Sequence, residues 1–522
     1  MPAVGKTAGA EAAETLSGRT AAGLAGVLLS AMMAGFNNRV GSLALPDIRG
    51  ALGLGVDDAS WLTTTYSAGE LIVMPFAAWL GITLSVRRCS LWSLGICAVL
   101  AVALPFVRNL DLMLALRFLQ GSAAGASIPL LMMAALKYLP ASIRLHGLAL
   151  YALTATLAPN LSTWLAGHWT DGWLDWRWVY WQTVPLAAIG GLLSAWGLPR
   201  EPIQADRFRQ ANWPGMTCGV AALGLIAVAL DQGSRLDWFQ SKLIGAALLG
   251  GIALLIVYLQ TEWYHASPFI KLRILRRRNL WLGFIIFVLL LVTLASSSLL
   301  PALYLGSVQE YRPRQVAPLA LIIALPQPVL GSAVALLLYC KWIDARLVLA
   351  AGLALIATAC FCGSQLSSEW GRDQFLAVQT LHAFGQPMAV VSMLFLATSV
   401  VQPLEGAYVS GLINTLRALG SLAAVSGVGQ FVIVRSRFHA EMLLDQASLK
   451  TGSIPQSPSV FSLAGVVDRE SLVLSIGDAF LLLGALAAVL AALALMLDRI
   501  PAPEPRGPSA SPLHPPSSDD TP

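Results

Sequence analysis

The chain has 522 residues, of which 56% are hydrophobic and only 12% charged, about half the charged share of a soluble globular protein. So few charges cannot cover a water-soluble fold of this size, which excludes a cytosolic enzyme, a nucleic-acid binder and a disordered protein. The formal net charge of +5 is therefore a guide to membrane orientation rather than a nucleic-acid footprint.

A helix needs about 20 apolar residues to cross the hydrocarbon of a bilayer. In chain order the sequence predicts an all-α integral membrane protein with fourteen transmembrane helices, at 20–45, 58–80, 90–108, 111–138, 145–169, 177–198, 212–231, 241–261, 278–302, 315–340, 346–364, 374–400, 407–434 and 475–498. The first run is too long for a signal-peptide core, so no cleavable leader is expected. The seventh is Gly-rich and barely long enough. Most connections are short, which makes neighbouring spans antiparallel.

Two segments echo each other. Span 4 reads DLMLALRFLQG from Asp111 and span 12 reads DQFLAVQTLHA from Asp373, so Leu114, Ala115 and Leu119 align with Leu376, Ala377 and Leu381. The echo sets spans 1–6 opposite spans 9–14 and leaves spans 7 and 8 as an inserted pair. The expected organisation is an N-terminal tail (1–19), a six-helix bundle (20–198), a linker with spans 7 and 8 (199–277), and a second six-helix bundle (278–498). That second bundle includes an outer loop at 435–474. A disordered Pro-rich tail follows (499–522).

With the N-terminus inside, the even-numbered loops two to ten hold Arg87, Arg88, Lys137, Arg144, Arg200, Arg207, Arg209, Lys271, Arg273, Arg276, Arg277, Arg278, Lys341 and Arg346. Those fourteen cations face four acids, Glu201, Asp206, Glu262 and Asp344, whereas the odd loops one to eleven hold eight basic and 11 acidic residues. This bias places both termini in the cytoplasm of a multi-pass cell (inner) membrane protein. Six tryptophans between Trp164 and Trp181 form an aromatic belt at the outer interface. The six cysteines have no CxxC pair and no histidine at metal spacing, so they read as free thiols with no metal site.

Five charges remain inside the spans: Arg39, Glu70, Arg117, Arg417 and Asp478. Each costs about 2.5–3.5 kcal/mol on insertion scales, so each should face the protein interior or a wet cavity. Glu70 lies about 18 Å along span 2, past the middle of a ~30 Å core, and reads as the only acid deep in the membrane. Two roles fit it. A carboxylate held between desolvation and a nearby arginine can load and release protons; alternatively, a static ion pair with Arg39 or Arg117 fixes spans 1, 2 and 4. Arg417 is near mid-membrane and either bonds backbone carbonyls and Asn414 or attracts an anionic substrate. Asp478 is a few residues into span 14 and reads as interfacial. His382 and Gln386 share a helix face and either line the cavity or pack. Pro75, Pro129, Pro159, Pro326, Pro328 and Pro387 interrupt spans and permit bending.

Several segments resemble the fourteen-helix drug:proton antiporters of the major facilitator superfamily, the EmrB/QacA type. They are LDQGSRLDWFQS at the end of span 7, DWRWVYWQTVP entering span 6, SPFIKLRILRRRN before span 9, LALRFLQGSAAG in span 4, SGLINTLRALG in span 13 and NNRVGSLALPDI at the end of span 1. The likeness runs from about residue 25 to 498. Three departures stand out. Asn37, followed by Arg39, replaces the family's acid in span 1; GITLSVRR after span 2 lacks an acid; and STWLAG from Ser162 replaces GPxxGG, leaving Pro159 and Gly167.

Charge placement together with the resemblance, which puts Arg117 in the family's proton-transfer motif, gives proton coupling through Glu70, Arg39 and Arg117, with a substrate cavity formed by Asn37, Asn38, Tyr66, Gln120, His382, Gln386, Asn414 and Arg417. Gating or structural roles fall to Pro159, Gly121, Gly125, Asp344 and Arg346. The five buried charges sum to +1, which favours a neutral, zwitterionic or anionic amphiphile over a quaternary ammonium compound. The expected activity is export by alternating access, driven by the proton gradient with no cofactor. The family also implies a periplasmic adaptor and outer-membrane channel if the source is Gram-negative. Two rivals are an uptake or uniport carrier and a transport-incompetent membrane sensor or scaffold. No nucleophile–base pair or phosphate loop supports an enzyme, and no nucleic-acid partner is expected.

Overall fold

The computed structural model describes residues 17–140, 143–173, 175–399, 405–450 and 460–501, and among these it is helical with no strand. Fourteen helices align with the expected spans: α1 (Gly18–Leu43), α2 (Val56–Leu84), α3 (Val86–Phe106), α4 (Leu110–Tyr138), α5 (Arg144–Gly167), α6 (Thr183–Gly197), α7 (Trp213–Gly233), α8 (Lys242–Tyr264), α9 (Arg278–Ser307), α10 (Pro313–Tyr339), α11 (Ala345–Gly363), α12 (Asp373–Thr398), α13 (Gly406–Lys450) and α14 (Val460–Ala494). Twelve of them are long and apolar enough to cross a membrane. The other two are α5, whose hydropathy is lowered by Thr154, Thr156, Asn160, Ser162 and Thr163, and α6, whose 15 residues continue a separate turn at Trp178–Trp181.

Sequence explains the breaks. Pro129 stands at the third residue of the second half of α4, which restarts at Ser127 after the first half ends at Ala124. In α10 the restart at Gln327 follows Pro326 and puts Pro328 in the first turn, where its missing N–H costs no hydrogen bond. Asn109, Asn212 and Asp344 cap α4, α7 and α11, their side chains accepting from Leu112, Gly215 and Arg346 amides.

The packing repeats. α1 packs on α4, α5 and α6, and α9 packs on α12, α13 and α14. α2 packs on α4 as α10 does on α12, and α3 on α6 as α11 does on α14. Between these two sets, α5 meets α10 and α12, while α13 meets α2 and α4. α7 packs on α8 and also on α2 and α13.

The structure corrects the expected outer loop at 435–474. α13 continues through Lys450 and α14 begins at Val460, with residues 451–459 outside the described set. The stretch RSRFHAEMLLDQASLK has neither Gly nor Pro and many helix formers, so it stays helical although too polar to read as a span. At 1.5 Å per residue the 45 residues of α13 run about 67 Å, more than twice the hydrocarbon thickness. Asp478 is therefore deep within α14 rather than near its start. It accepts from Arg435 Nε at 2.7 Å and meets His439 Nε2 at 2.8 Å, tying α14 to α13. The expected tails lie mostly outside the described residues, at 1–16 and 502–522.

Candidate functional site

A cavity of 330 Å³ lies between the two sets of helices, lined from α1, α2, α4, α5, α7, α9, α12 and α13. Six of the sequence-predicted residues line it: Asn38, Arg39, Glu70, Pro159, Gln386 and Arg417. On α2 the lining residues Thr63, Ser67, Glu70, Leu71 and Met74 recur at helical spacing, so one stripe of this helix faces the space.

Glu70 is 8% exposed, and Asn38 Nδ2 donates to its Oε2 at 2.7 Å. Among the described residues neither Arg39 nor Arg117 comes within ion-pair distance of it, so the static pair, one of the two roles read from sequence, is not formed. Its remaining lone pairs are left to the cavity. Arg39 is half-buried on the same wall, and its Nε has no partner among the described residues. Gln386 Nε2 donates to Ser297 Oγ at 2.8 Å. Arg417 donates to Thr154 Oγ1 at 2.6 Å and to the Thr154 carbonyl at 2.8 Å; Asn414, the partner expected for it, instead accepts from Tyr151 Oη at 2.9 Å.

Five expected cavity residues are not in its wall. Tyr66 turns towards α1, its hydroxyl donating to the Ala34 carbonyl at 3.3 Å. Gln120 is buried against Arg117, accepting from Nη1 at 2.8 Å. Arg117 is itself 2% exposed, with its guanidinium 4.5 Å from the Tyr66 ring centre and 5.5 Å from that of Tyr180. Among the described residues it has no acid partner and is satisfied by an amide, the Leu62 carbonyl and two aromatic faces. Asn37 is buried, and neither of its amide atoms has a hydrogen-bond partner among the described residues. His382 is fully buried, one turn away from Gln386, with Nε2 3.3 Å from Ser296 Oγ. Asn414 sits below the cavity rather than in its wall.

Gly121 and Gly125, with Gly69, make the α2–α4 contact. A Cβ on Gly121 would lie 2.1 Å from the Tyr66 carbonyl oxygen, one on Gly125 2.3 Å from that of Glu70, and one on Gly69 2.3 Å from that of Phe118. The backbone that carries Glu70 thus rests directly on α4, the close approach that a small-xxx-small pair permits.

One cavity residue lay hidden in the sequence. Asp231, near the end of α7, lines the space with Glu70 and is hydrogen-bonded by Thr64 Oγ1 of α2. Gln232 Nε2 also donates to Thr64 Oγ1 at 2.5 Å, and Arg235 joins Gln232 and Asp57 at 2.5 Å each. Glu70 is therefore not the sole acid on the cavity wall. Among lining residues two carboxylates, Glu70 and Asp231, face two guanidiniums, Arg39 and Arg417.

The family model of the Major Facilitator Superfamily matches residues 27–425. The chain belongs to the major facilitator superfamily. It is a multi-pass membrane transporter, similar to the multidrug export protein EmrB of Escherichia coli K12 (24% identical over 429 residues, 79% of this chain and 80% of that one). It is also similar to the fatty acid resistance protein FarB of Neisseria gonorrhoeae (23% identical; 86% of this chain and 89% of that one). The human organic anion transporter MFSD10 shares the fold, with a TM-score of 0.53 at 15% identity, covering 90% of this chain and 99% of that one.

For a transporter of this superfamily, the contacts above and below the cavity are as informative as its wall. On the side of the α1–α2 connection, Arg312 at the start of α10 meets Asp47 at 3.1 Å and Asp171 at 3.0 Å, and the Arg314 amide donates to Asp171 at 3.1 Å. On the opposite side a ladder joins the two sets of helices. It consists of Arg417 to Thr154, Tyr151 to Asn414, Ser410 Oγ to the Pro129 carbonyl at 2.7 Å and the Leu145 amide to Tyr339 Oη at 3.3 Å. The cavity is thus bridged at both ends.

The two pseudo-equivalent loops differ as their sequences do. After α2, with no acid present, Arg88 and Arg87 donate to the Leu84 and Leu198 carbonyls at 3.4 and 3.5 Å. After α10, Asp344 pairs with Arg346 at 2.7 Å, and that arginine reaches the Leu497 carbonyl at 3.0 Å. The Arg346 guanidinium holds the Asp344 carboxyl below its ordinary value.

Proposed function

We propose that the transporter exports a small amphiphilic compound through this cavity by alternating access, coupled to inward proton flow at Glu70. The observation that carries the proposal is Glu70 itself: a buried carboxylate on the cavity wall with, among the described residues, one hydrogen-bond donor and no arginine at ion-pair distance. A proton arriving from outside neutralises Glu70, alters its bond with Asn38 and changes the charge that the cavity presents to its cargo. Release follows, the outer clamp at Arg312 closes, and the inner ladder opens to discharge the proton to the cytoplasm. At each turn one set of bridges yields while the other holds, as alternating access requires.

The architecture supporting this cycle is two six-helix bundles, α1–α6 and α9–α14, with α7 and α8 inserted between them, fourteen spans in all. The matching contact pattern of the two halves supports the division, and the bias of the loop charges supports a cytoplasmic side for both termini. A volume of 330 Å³ suits a small molecule. Two acids against two arginines leave the wall without net charge, and protonation of Glu70 tips it positive, which favours cargo without net positive charge. A fatty acid, which the name of FarB attaches to that relative, is one anionic amphiphile that fits. If the source is Gram-negative, an adaptor and an outer-membrane channel would complete the export route.

The test is transport by cells and vesicles expressing the protein, with a panel of neutral, zwitterionic, anionic and cationic amphiphiles. Saturable, gradient-dependent export of a compound from the first three groups is expected. Saturable efflux of ethidium or benzalkonium would overturn the charge assignment, and net uptake in oriented vesicles would overturn the direction.

A further inference from the structure

A second cavity, of 270 Å³, opens where the segment joining α8 to α9 meets the start of α13. Its wall carries Lys271, Arg273 and Arg277 together with His265, Glu262 and Glu405. Both acids are engaged. Glu262 is buried, and its two oxygens accept from Asn212 Nδ2 and the Ile270 amide, each at 2.9 Å. Glu405 binds Arg277 through bonds of 2.9 and 3.3 Å.

Lys271 and Arg273 pair with no carboxylate among the described residues. Lys271 is nevertheless held at the cavity. Its ammonium lies 4.6 Å from the Tyr408 ring centre, and Tyr408 Oη accepts from Arg207 at 3.2 Å. Arg276 ends the short turn before α9, Arg277 is the N-cap of that helix and Arg278 its first residue, so these cations gather at the positive end of a helix. Glu405 and Asp498 offset Arg277 and Arg278, at 2.9 and 3.8 Å, and a further negative charge beside Lys271 and Arg273 would offset the rest of the cluster and the helix dipole.

The aromatic side chains beside the cavity indicate its depth. Trp263 and Tyr264, the last residues of α8, are 39% and 83% exposed. Exposed Trp and Tyr at the end of an apolar span mark the level of lipid headgroups. We propose that this cavity binds the phosphodiester headgroup of an anionic phospholipid, with Lys271 and Arg273 taking the phosphate and Trp263 and Tyr264 flanking the glycerol. Basic pockets between membrane helices suit such headgroups. A soluble phosphate would use the same cations but gains nothing from the aromatic rim. Because Arg277 clamps Glu405 in the same wall, the lipid would tie the α8–α9 connection to α13.

The test uses the full-length protein in detergent, titrated with phosphatidylglycerol or with phosphatidylcholine of the same chains and read by native mass spectrometry. Retained adducts of the first lipid and not of the second are expected. Lys271→Gln with Arg273→Gln should cut phosphatidylglycerol occupancy about fivefold or more, as loss of two charge-assisted contacts implies. Arg87→Gln with Arg88→Gln, another basic pair on the same side, should leave it unchanged. Arg273→Gln alone, at an exposed residue that cannot disturb folding, should give an intermediate loss. Equal occupancy in wild type and the Lys271/Arg273 variant would overturn the proposal. So would displacement of the lipid by millimolar inorganic phosphate accompanied by a phosphate-dependent thermal shift of lipid-free protein, which would assign the site to a soluble anion.

Discussion

Replacing Gly121 by alanine tests whether α2 rests on α4 as closely as the structure shows. The new Cβ would sit 2.1 Å from the Tyr66 carbonyl oxygen, and since real Cβ atoms stay beyond 3.0 Å, the helices must part by about 0.9 Å. The atom met is backbone, so no side chain can swing aside. Overpacking of this kind costs about 1–3 kcal/mol. Gly125→Ala imposes a similar displacement on the carbonyl of Glu70 and should impair transport as well as stability. The assay is thermal unfolding of purified protein in one detergent, compared with Gly95→Ala and Gly191→Ala, where a Cβ meets nothing within 4 Å. Those controls should match or exceed wild type, because alanine favours helix by ~1 kcal/mol over glycine. The expected result is a fall of a few degrees in Tm for Gly121→Ala and Gly125→Ala only. If Gly121→Ala were as stable as the controls, the α2–α4 contact described above would be wrong.

Other outcomes follow from the same geometry. Arg117→Leu should destabilise by about 1–3 kcal/mol in a thermal or denaturant assay, because Gln120 loses its one partner while buried. Arg117→Lys should recover only part of this, since an ammonium cannot lie flat on Tyr66 and Tyr180. Asp231→Asn keeps a bond to Thr64 but removes a cavity charge, so export of amine-bearing zwitterions should slow by about tenfold while neutral cargo is spared. Asp344→Asn should cost about 1 kcal/mol or less, measured as Tm. With its folded value depressed by Arg346, the Asp344 pair contributes above the unfolded carboxylate range, near pH 4, and is lost as pH falls through the lower folded value. The wild-type advantage over Asp344→Asn should therefore be flat from pH 5 to 8.

Charges isolated in apolar runs were the most legible part of the site. Glu70, Arg39 and Arg417 stand out in sequence because the bilayer penalises them, and all three line the cavity. Asp231 did not stand out, because a carboxylate at the last predicted residue of a span reads equally as loop. The LDQGSRLDWFQS segment held it, and extending α7 by two residues, to Gly233, would have brought it inside. Direction around each helix was the harder question. Tyr66, Gln120, His382 and Asn414 were assigned to the right helices but face neighbouring helices, since spans apolar on every side carry no stripe to show which face meets the cavity. The extension of α13 past residue 434 was missed for the opposite reason: a hydropathy reading stops where polarity rises, although helix propensity continues. The bridges at Arg312, Asp47 and Asp171 join residues 47, 171 and 312, which only the folded arrangement brings together.

The central claim is that Glu70 carries the coupled proton. Everted membrane vesicles, energised and loaded with a pH-sensitive quenching dye, test it directly when challenged with neutral, zwitterionic and anionic amphiphiles. Wild type should dequench on addition of a transported compound, and Glu70→Gln, expressed to the same level, should not. Dequenching that survives intact in Glu70→Gln would contradict the account and move the proton to another group, with Asp231 the first to examine.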